Sequence, residues 1–207
     1  MRFFLISIFL FTVFGCKVTT VKNFTPSKLV TGERITNPYF SDKSVDYVYK
    51  ADINIYGNEF SGILILKKIT DQKHRMVFTS QFGSTFFDIE FEKDTYKIKT
   101  IIEQLDRKII LNTLIQDFSL LVKETGAVAN KYYNDVYNVL ENQMDKRINY
   151  YFYHQSDQRL VKIVHASKRK EKFIIHFDNV SEDKIANNVH IDHKNIKLKI
   201  ELNFLKK

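Results

Sequence analysis

From Asp46 onward, apolar and polar residues alternate with a period of two, the pattern of strands buried on one face. Tyr47, Tyr49, Ala51, Ile53 and Ile55 share one side, and Val48, Lys50, Asp52, Asn54 and Tyr56 the other. The Gly-Asn pair in YGNE predicts a hairpin turn. Residues 60–68 follow as a second strand, apolar on both faces at Ile63, Leu64, Ile65 and Leu66. After TDQK, a third strand sets His74, Met76, Phe78 and Ser80 on one face. A fourth, residues 85–91, aligns Phe87, Ile89 and Phe91. A fifth, residues 95–102, alternates Tyr96, Ile98, Thr100 and Ile102 with Lys97 and Lys99. The order predicts a meander of antiparallel hairpins.

The rhythm changes at residues 107–122. Ile110, Leu111, Leu114, Ile115, Phe118, Leu121 and Val122 recur at three and four, which predicts an amphipathic helix with a broad apolar stripe. A sheet face is the surface available to bury it. Residues 123–147 fit either helix or extended chain. Strands are predicted again at 149–154, 159–166 and 172–178, and a regular one closes the chain with Ile196, Leu198, Ile200, Leu202 and Phe204 on one face. A long antiparallel sheet with one apolar face and few helices either closes into a barrel or stays open under a helical cap. Both arrangements place an apolar concavity at the centre. The expected fold is therefore mainly β with capping helices, a single domain over residues 45–207.

The first 44 residues lack this patterning. Residues 17–44 are polar and carry the only prolines, Pro26 and Pro38. They read as a tether that could reach roughly 90 Å if extended, with room for a short helix. Before them stands MRFFLISIFLFTVFGC. Its apolar run is too short for a bilayer-spanning helix, which needs about 20 residues, and suits the core of a signal peptide over residues 1–15. Val13-Phe14-Gly15-Cys16 resembles the bacterial lipobox, with Gly15 in the small position and Phe14 departing from the usual residue. That resemblance implies acylation of Cys16 and cleavage before it. An uncleaved anchor helix with a buried free thiol is the alternative. Removal of Arg2 with the leader takes the formal charge from +8 to +7 (8 − 1). Several acyl chains, at about 0.8 kcal/mol per buried methylene, hold a protein firmly on one membrane. No acidic run follows Lys17, and by resemblance to surface-exported lipoproteins this lack implies a periplasm-facing domain.

Composition narrows the picture further. Eleven tyrosines and eighteen phenylalanines without tryptophan favour strands. Cys16 is the only cysteine, so no internal disulfide or cysteine metal site is available. The lysines are spread over polar faces, with one dense run at Lys168, Arg169, Lys170 and Lys172. Nucleic-acid binding would need a basic stripe with stacking aromatics, so no nucleic-acid partner is expected.

Enzymatic motifs are missing. There is no Gly-rich phosphate loop, GxSxG or HExxH. His190 and His193 flank Asp192, but residues three apart on a strand point to opposite faces, so an ordinary surface turn is expected rather than a metal. Asp88 and Glu90 share a strand face beside lysines and read as a solvated face. No catalytic residue, cofactor or metal is expected, and a hydrolase ranks last for want of a nucleophile constellation.

MVFTSQFGSTFFDIEF (residues 76–91) resembles the outer-membrane lipoprotein receptor family LolB at the strand ending in its Thr-Asn-Pro-Leu-Gly-Ser-Thr type turn. Thr79, Gly83, Ser84 and Thr85 match, Ser80 and Gln81 replace Asn-Pro, and Phe82 takes the place of a protruding leucine. ILNTLIQDFSLL and NIKLKIELNFLKK look like that family's helix and closing strand. The resemblance covers roughly residues 49–122 and the last twenty, and leaves 123–188 as a possible insertion. It implies an open antiparallel half-barrel whose apolar cavity takes acyl chains of a lipoprotein cargo. A soluble periplasmic LolA-like carrier hands that cargo over, and the receptor inserts it into the outer membrane. It also implies a lipid-anchored, outer-membrane protein with Phe82 and Gly83 in a membrane-contacting loop. Phe82 in lipid would gain on the order of 1.5–3 kcal/mol. The expected cavity lining is Ile53, Ile55, Leu64, Leu66, Met76, Phe78, Phe87, Ile89, Phe91, Ile98 and Leu198, with Leu111, Leu114, Ile115 and Phe118 on the capping helix. A one-residue register slip would invert such a list. We expect a monomer. The competing expectation is a structural or interaction lipoprotein whose β core is filled by its own side chains.

Overall fold

The computed structural model describes residues 19–167 and 170–205. Cys16, the leader before it, Lys168 and Arg169 lie outside the described residues. After a 3-10 turn at Thr19–Val21 come β1 (Thr25–Ser27), β2 (Arg34–Thr36), β3 (Asp46–Ile55), β4 (Asn58–Thr70), β5 (Lys73–Ser80), β6 (Thr85–Glu92) and β7 (Thr95–Ile101). The helix α1 (Lys108–Leu121) precedes β8 (Thr125–Ala127), β9 (Asn130–Tyr133), β10 (Tyr137–Met144), β11 (Arg147–His154), β12 (Leu160–Ser167), β13 (Lys170–Val180), β14 (Ala186–His193) and β15 (Leu198–Phe204).

Thirteen strands form one antiparallel sheet in the order β1-β9-β10-β11-β12-β13-β14-β15-β3-β4-β5-β6-β7. The closing strand β15 pairs with β3, Leu198 opposite Ile55 and Ile200 opposite Ile53. This one long-range pairing joins the two hairpin series. The sheet does not close, because β7 and β1 remain edges. It is a curved, open half-barrel. Both edges are unattractive for pairing: β1 is short and contains Pro26, and β7 carries Lys97 and Lys99, devices that blunt an edge.

The period of two is obeyed along β3, where Tyr47, Tyr49, Ala51, Ile53 and Ile55 are buried. In β4 it resolves the run that is apolar on both faces: Leu64 and Leu66 are buried, while Ile65 is exposed on the convex side. Residues 123–147, open between helix and strand on sequence, are extended. Their strands β9 and β10 continue the sheet, and β8 pairs with β2. Most of the stretch is therefore an arm of the same sheet, with β8 in a separate two-stranded sheet.

The tether expectation fails over residues 19–44. Ile35, Tyr39 and Phe40 are buried in the concave core, and the Tyr39 hydroxyl donates to the Leu160 carbonyl oxygen. On the convex side, Val21 and Phe24 join a second cluster with Tyr132, Val139, Tyr150, Phe152 and Val164. The Phe24 ring meets that of Phe152 edge-on at 5.8 Å. A few well-spaced aromatic and aliphatic residues suffice to dock a segment that shows no periodicity, because its shape is set by the sheet beneath it.

Candidate functional site

The concave face is the candidate site. Ile53, Ile55, Leu64, Leu66, Met76, Phe78, Phe87, Ile89, Phe91 and Leu198 all lie on it and are buried in one continuous core. Ile98, on the edge strand, is half-buried and packs against that core. The helix α1 lies across these side chains. Leu114, Ile115 and Phe118 are buried and Leu111 partly so. The rings of Phe87 and Phe118 are 5.6 Å apart, and Phe78 lies 5.5 Å from Phe87. Among the described residues, then, the hollow is occupied: lining side chains and helix close on one another.

Polar contacts hold the helix down along its length. Asp117 sits on the apolar stripe, three residues after Leu114 and four before Leu121. Its Oδ2 is 2.8 Å from Nε2 of His193 on β14, and its Oδ1 has no hydrogen-bond partner among the described residues. Burial drives the Asp117 carboxyl up to about 6, against the opposing pull of His193. One residue earlier, Gln116 Nε2 is 2.7 Å from His165 Nε2, and His165 Nδ1 is 2.7 Å from Asn149 Oδ1. This fits a neutral imidazole that accepts from Gln116 and donates to Asn149. Burial, with smaller help from Arg147 and His193, presses His165 down to about 4. The Phe173 ring lies between both histidines, 4.8 Å from His165 and 5.0 Å from His193. The surface-turn expectation for His193 is thus corrected. The next turn of chain after β14 is exposed, but His193 itself faces inward onto a helical carboxylate that sequence spacing along β14 could not reveal.

The end of α1 is tied separately. Asn37 Nδ2 donates to the Leu121 carbonyl oxygen at 2.9 Å, and the Asn37 amide to that of Glu124 at 2.7 Å. Just beyond the helix, Glu124 binds Lys68 Nζ at 2.7 Å and lies 3.3 Å from His74 Nε2. His74 is held below its ordinary value, chiefly by burial. Along the helix flank, a cleft of about 440 Å³ opens between the β6–β7 turn and the β10–β12 arm. Tyr96, Ile115, Leu120, Met144 and Arg147 are among its lining.

The β5–β6 turn projects Phe82, which is 97% exposed. Gly83 follows with φ +84°, a left-handed conformation that glycine adopts without steric cost. The turn is braced by Gly83 N to Ser80 O at 3.0 Å and Ser80 N to Ser84 O at 2.8 Å, so Phe82 is held out rather than free to fold back. Asp88 and Glu90 are ion-paired on the outer side, Asp88 with Arg75 at 2.6 Å and Glu90 with Lys99 at 2.6 Å. No group of three metal-ligating side chains occurs among the described residues. Nor is any described helix long and apolar enough to cross a membrane.

Sequence reasoning missed Asp117, Gln116, His165 and Asn149. One signal was available: a carboxylate inside an apolar helical stripe requires a buried partner.

The chain matches no family model and no curated protein. Solved structures do resemble it. A LolA superfamily protein from Nitrosomonas europaea superposes with a TM-score of 0.51 at 8% identity, covering 83% of this chain and 87% of the other. A structure from Vibrio parahaemolyticus, described as an outer membrane lipoprotein-sorting protein domain, gives 0.47 at 8% identity over 78% and 83%. At such identity the likeness is one of fold.

Proposed function

We propose that this chain is a non-catalytic envelope lipoprotein whose concave face receives the acyl chains of another lipoprotein from a soluble periplasmic carrier and passes them to the outer membrane. One observation carries the reading: a single helix covers a continuous apolar face in a sheet that is open beside it. Two further features support it, namely the lipobox-like Cys16 and the fold shared with a LolA superfamily protein.

The energetics suit exchange. Lifting α1 would expose Leu114, Phe118 and Leu121, at about 1.5–3 kcal/mol each, and would part Asp117 from His193, at about 3–5 kcal/mol. An acyl chain of roughly 15 methylenes leaving water gains about 12 kcal/mol. These terms are of one order, so a chain can displace the helix and still be given up. The cleft along the helix flank, with Tyr96, Ile115, Leu120 and Met144, offers the way in. Phe82 would meet the bilayer during delivery.

The filled concave face favours a second reading, in which the sheet is a rigid docking platform of the envelope with no lipid transfer. The experiment that separates them mixes the protein with a carrier loaded with labelled lipoprotein. Movement of label to this protein supports the receptor. Label that stays on the carrier leaves only the platform.

A further inference from the structure

The cleft on the flank of α1 is long and narrow. It follows one side of the helix from Asn112 through Ile115 and Ser119 to Lys123, roughly 16 Å at 1.5 Å per residue. Its volume of about 440 Å³ lies towards the small end of the range for small-ligand sites, roughly 300–1,000 Å³. It is a groove for one extended chain and not for the several chains of a lipoprotein. Ile115 and Leu120 on the helix, Tyr96 on β7 and Met144 on β10 give it apolar surface. The flexible thioether of Met144 adapts to irregular apolar ligands.

The rest of the lining is polar and unbalanced in charge. It includes Lys93, Lys123 and Arg147 against a single carboxylate, Asp94, which lies 3.4 Å from Lys123 Nζ. Lys93 and Arg147 have no ion-pair partner among the described residues. Neighbouring acids do not offset them: Glu92 is held by Lys73 at 3.1 Å, and Asp145 is matched by the adjoining Lys146. Asn149, in the wall, is only 6% exposed. Its Oδ1 accepts from His165, whereas its Nδ2 has no partner among the described residues. Both ring nitrogens of His165 are taken, by Gln116 and Asn149. The histidine therefore fixes the Asn149 amide and leaves its N–H groups to the cleft. Hydrogen bonds to an ionised acceptor are roughly twice as strong as neutral ones, so an anionic oxygen suits this donor.

We propose that the cleft binds a single-chain lipid with an anionic head. The chain lies along Ile115, Leu120, Tyr96 and Met144, and the head is held by Asn149, Arg147 and the two lysines. A fatty-acid carboxylate and a lysophospholipid phosphate share the required chemistry, since a guanidinium meets either with two parallel hydrogen bonds. This activity goes beyond lipoprotein transfer. The ligand is a free lipid, α1 stays in place and no carrier takes part, so the two activities can fail separately.

The chain contains no tryptophan, so Tyr96→Trp places a lone reporter on the cleft. Full chain carrying it, with Cys16→Ala so that no acyl group of its own competes, is titrated with palmitate, lysophosphatidylglycerol and uncharged palmitoylglycerol, each below its micelle-forming concentration. The expected result is a saturable change in emission with one or both anionic lipids, at concentrations about tenfold or more below those needed for the uncharged one. Which of the two binds separates the carboxylate from the phosphate. Arg147→Glu and Lys93→Glu, both at exposed residues, should each weaken the anionic lipid, Arg147→Glu by about tenfold or more, with unchanged thermal unfolding. Emission that no lipid alters, uncharged lipid bound as tightly as anionic, or affinity indifferent to Arg147→Glu would overturn the proposal. Uptake of labelled lipoprotein from a loaded carrier is measured on the same samples. Lipid binding without uptake keeps this site and removes the receptor role, and uptake without anionic-lipid binding removes this site alone.

Discussion

Nε2 of His193 lies 2.8 Å from Oδ2 of Asp117, with the two side chains only 2% and 0% exposed. The pair joins the helix to the C-terminal end of β14. Removing one partner of such a pair is costly because the other charge stays buried. His193→Ala should therefore destabilise the protein by about 3–5 kcal/mol at pH 7. The loss should shrink at pH 5, where the Asp117 carboxyl, already raised by burial, takes up a proton. Urea unfolding at both pH values checks this; a loss independent of pH would mean that Asp117 is not the group left stranded.

His165 predicts an opposite trend. Its folded value is near 4, and in the unfolded chain it is about 6.5. The unfolded state therefore binds the extra proton first, and the contribution of neutral His165 is full above pH 6.5 and lost as pH falls towards 4. Relative to His165→Gln, the native protein should lose up to about 3 kcal/mol over that window. Asp117 acts against this, since its raised value favours the folded state at low pH and that gain fades as pH rises through 6. Unfolding curves of the wild type and the variant, compared at each pH, isolate the His165 part.

Gly62 approaches the β5 backbone so closely that a Cβ would lie 1.9 Å from the Thr79 carbonyl oxygen. Main chain cannot yield as a flexible side chain does. Gly62→Ala should cost at least about 1–3 kcal/mol and displace the β5–β6 turn that carries Phe82. Calorimetry gives the cost, and amide exchange at Ser80 and Ser84 reports the displacement. An alanine variant as stable as wild type would contradict the packing.

Phe82→Glu should leave unfolding unchanged within about 0.5 kcal/mol, since the ring touches solvent almost throughout. Under the proposed function it should nevertheless impair delivery of cargo to vesicles. Unimpaired delivery would remove the loop from the mechanism.

Phe118→Ala should cost about 3–5 kcal/mol, because the ring is fully buried against Phe87. It should also ease opening of α1, read as faster amide exchange along the helix than along β14. Uniform loss of protection would instead mean that helix and sheet unfold together.

Much of the fold was legible from residue order alone. Period two along β3, β5, β6 and β15 fixed which side of each strand is apolar, since a pleated strand offers only two faces; at β7 a register shift between Asp88 and Ile89 sets Ile101, not Thr100, opposite Phe87. The three-and-four spacing of Leu114, Ile115, Phe118 and Leu121 fixed the helix and its buried stripe. The β5–β6 turn with an apolar tip followed from Phe82 beside Gly83. Residues 123–147 were not legible, because their short strands mix burial on both faces and no single period survives. Residues 19–44 misled for a related reason: their docking depends on isolated contacts such as Ile35, Tyr39 and Phe24, which leave no rhythm.

What the sequence determined by itself, then, is local: faces, stripes and turns, each set by the geometry of one strand or one helix. What only the tertiary structure decided is which faces meet. It brought Asp117 onto His193, seventy-six residues away, and filled the hollow with the helix. Such juxtapositions arise from strand order and sheet curvature, which couple residues through space and leave no periodic trace along the chain.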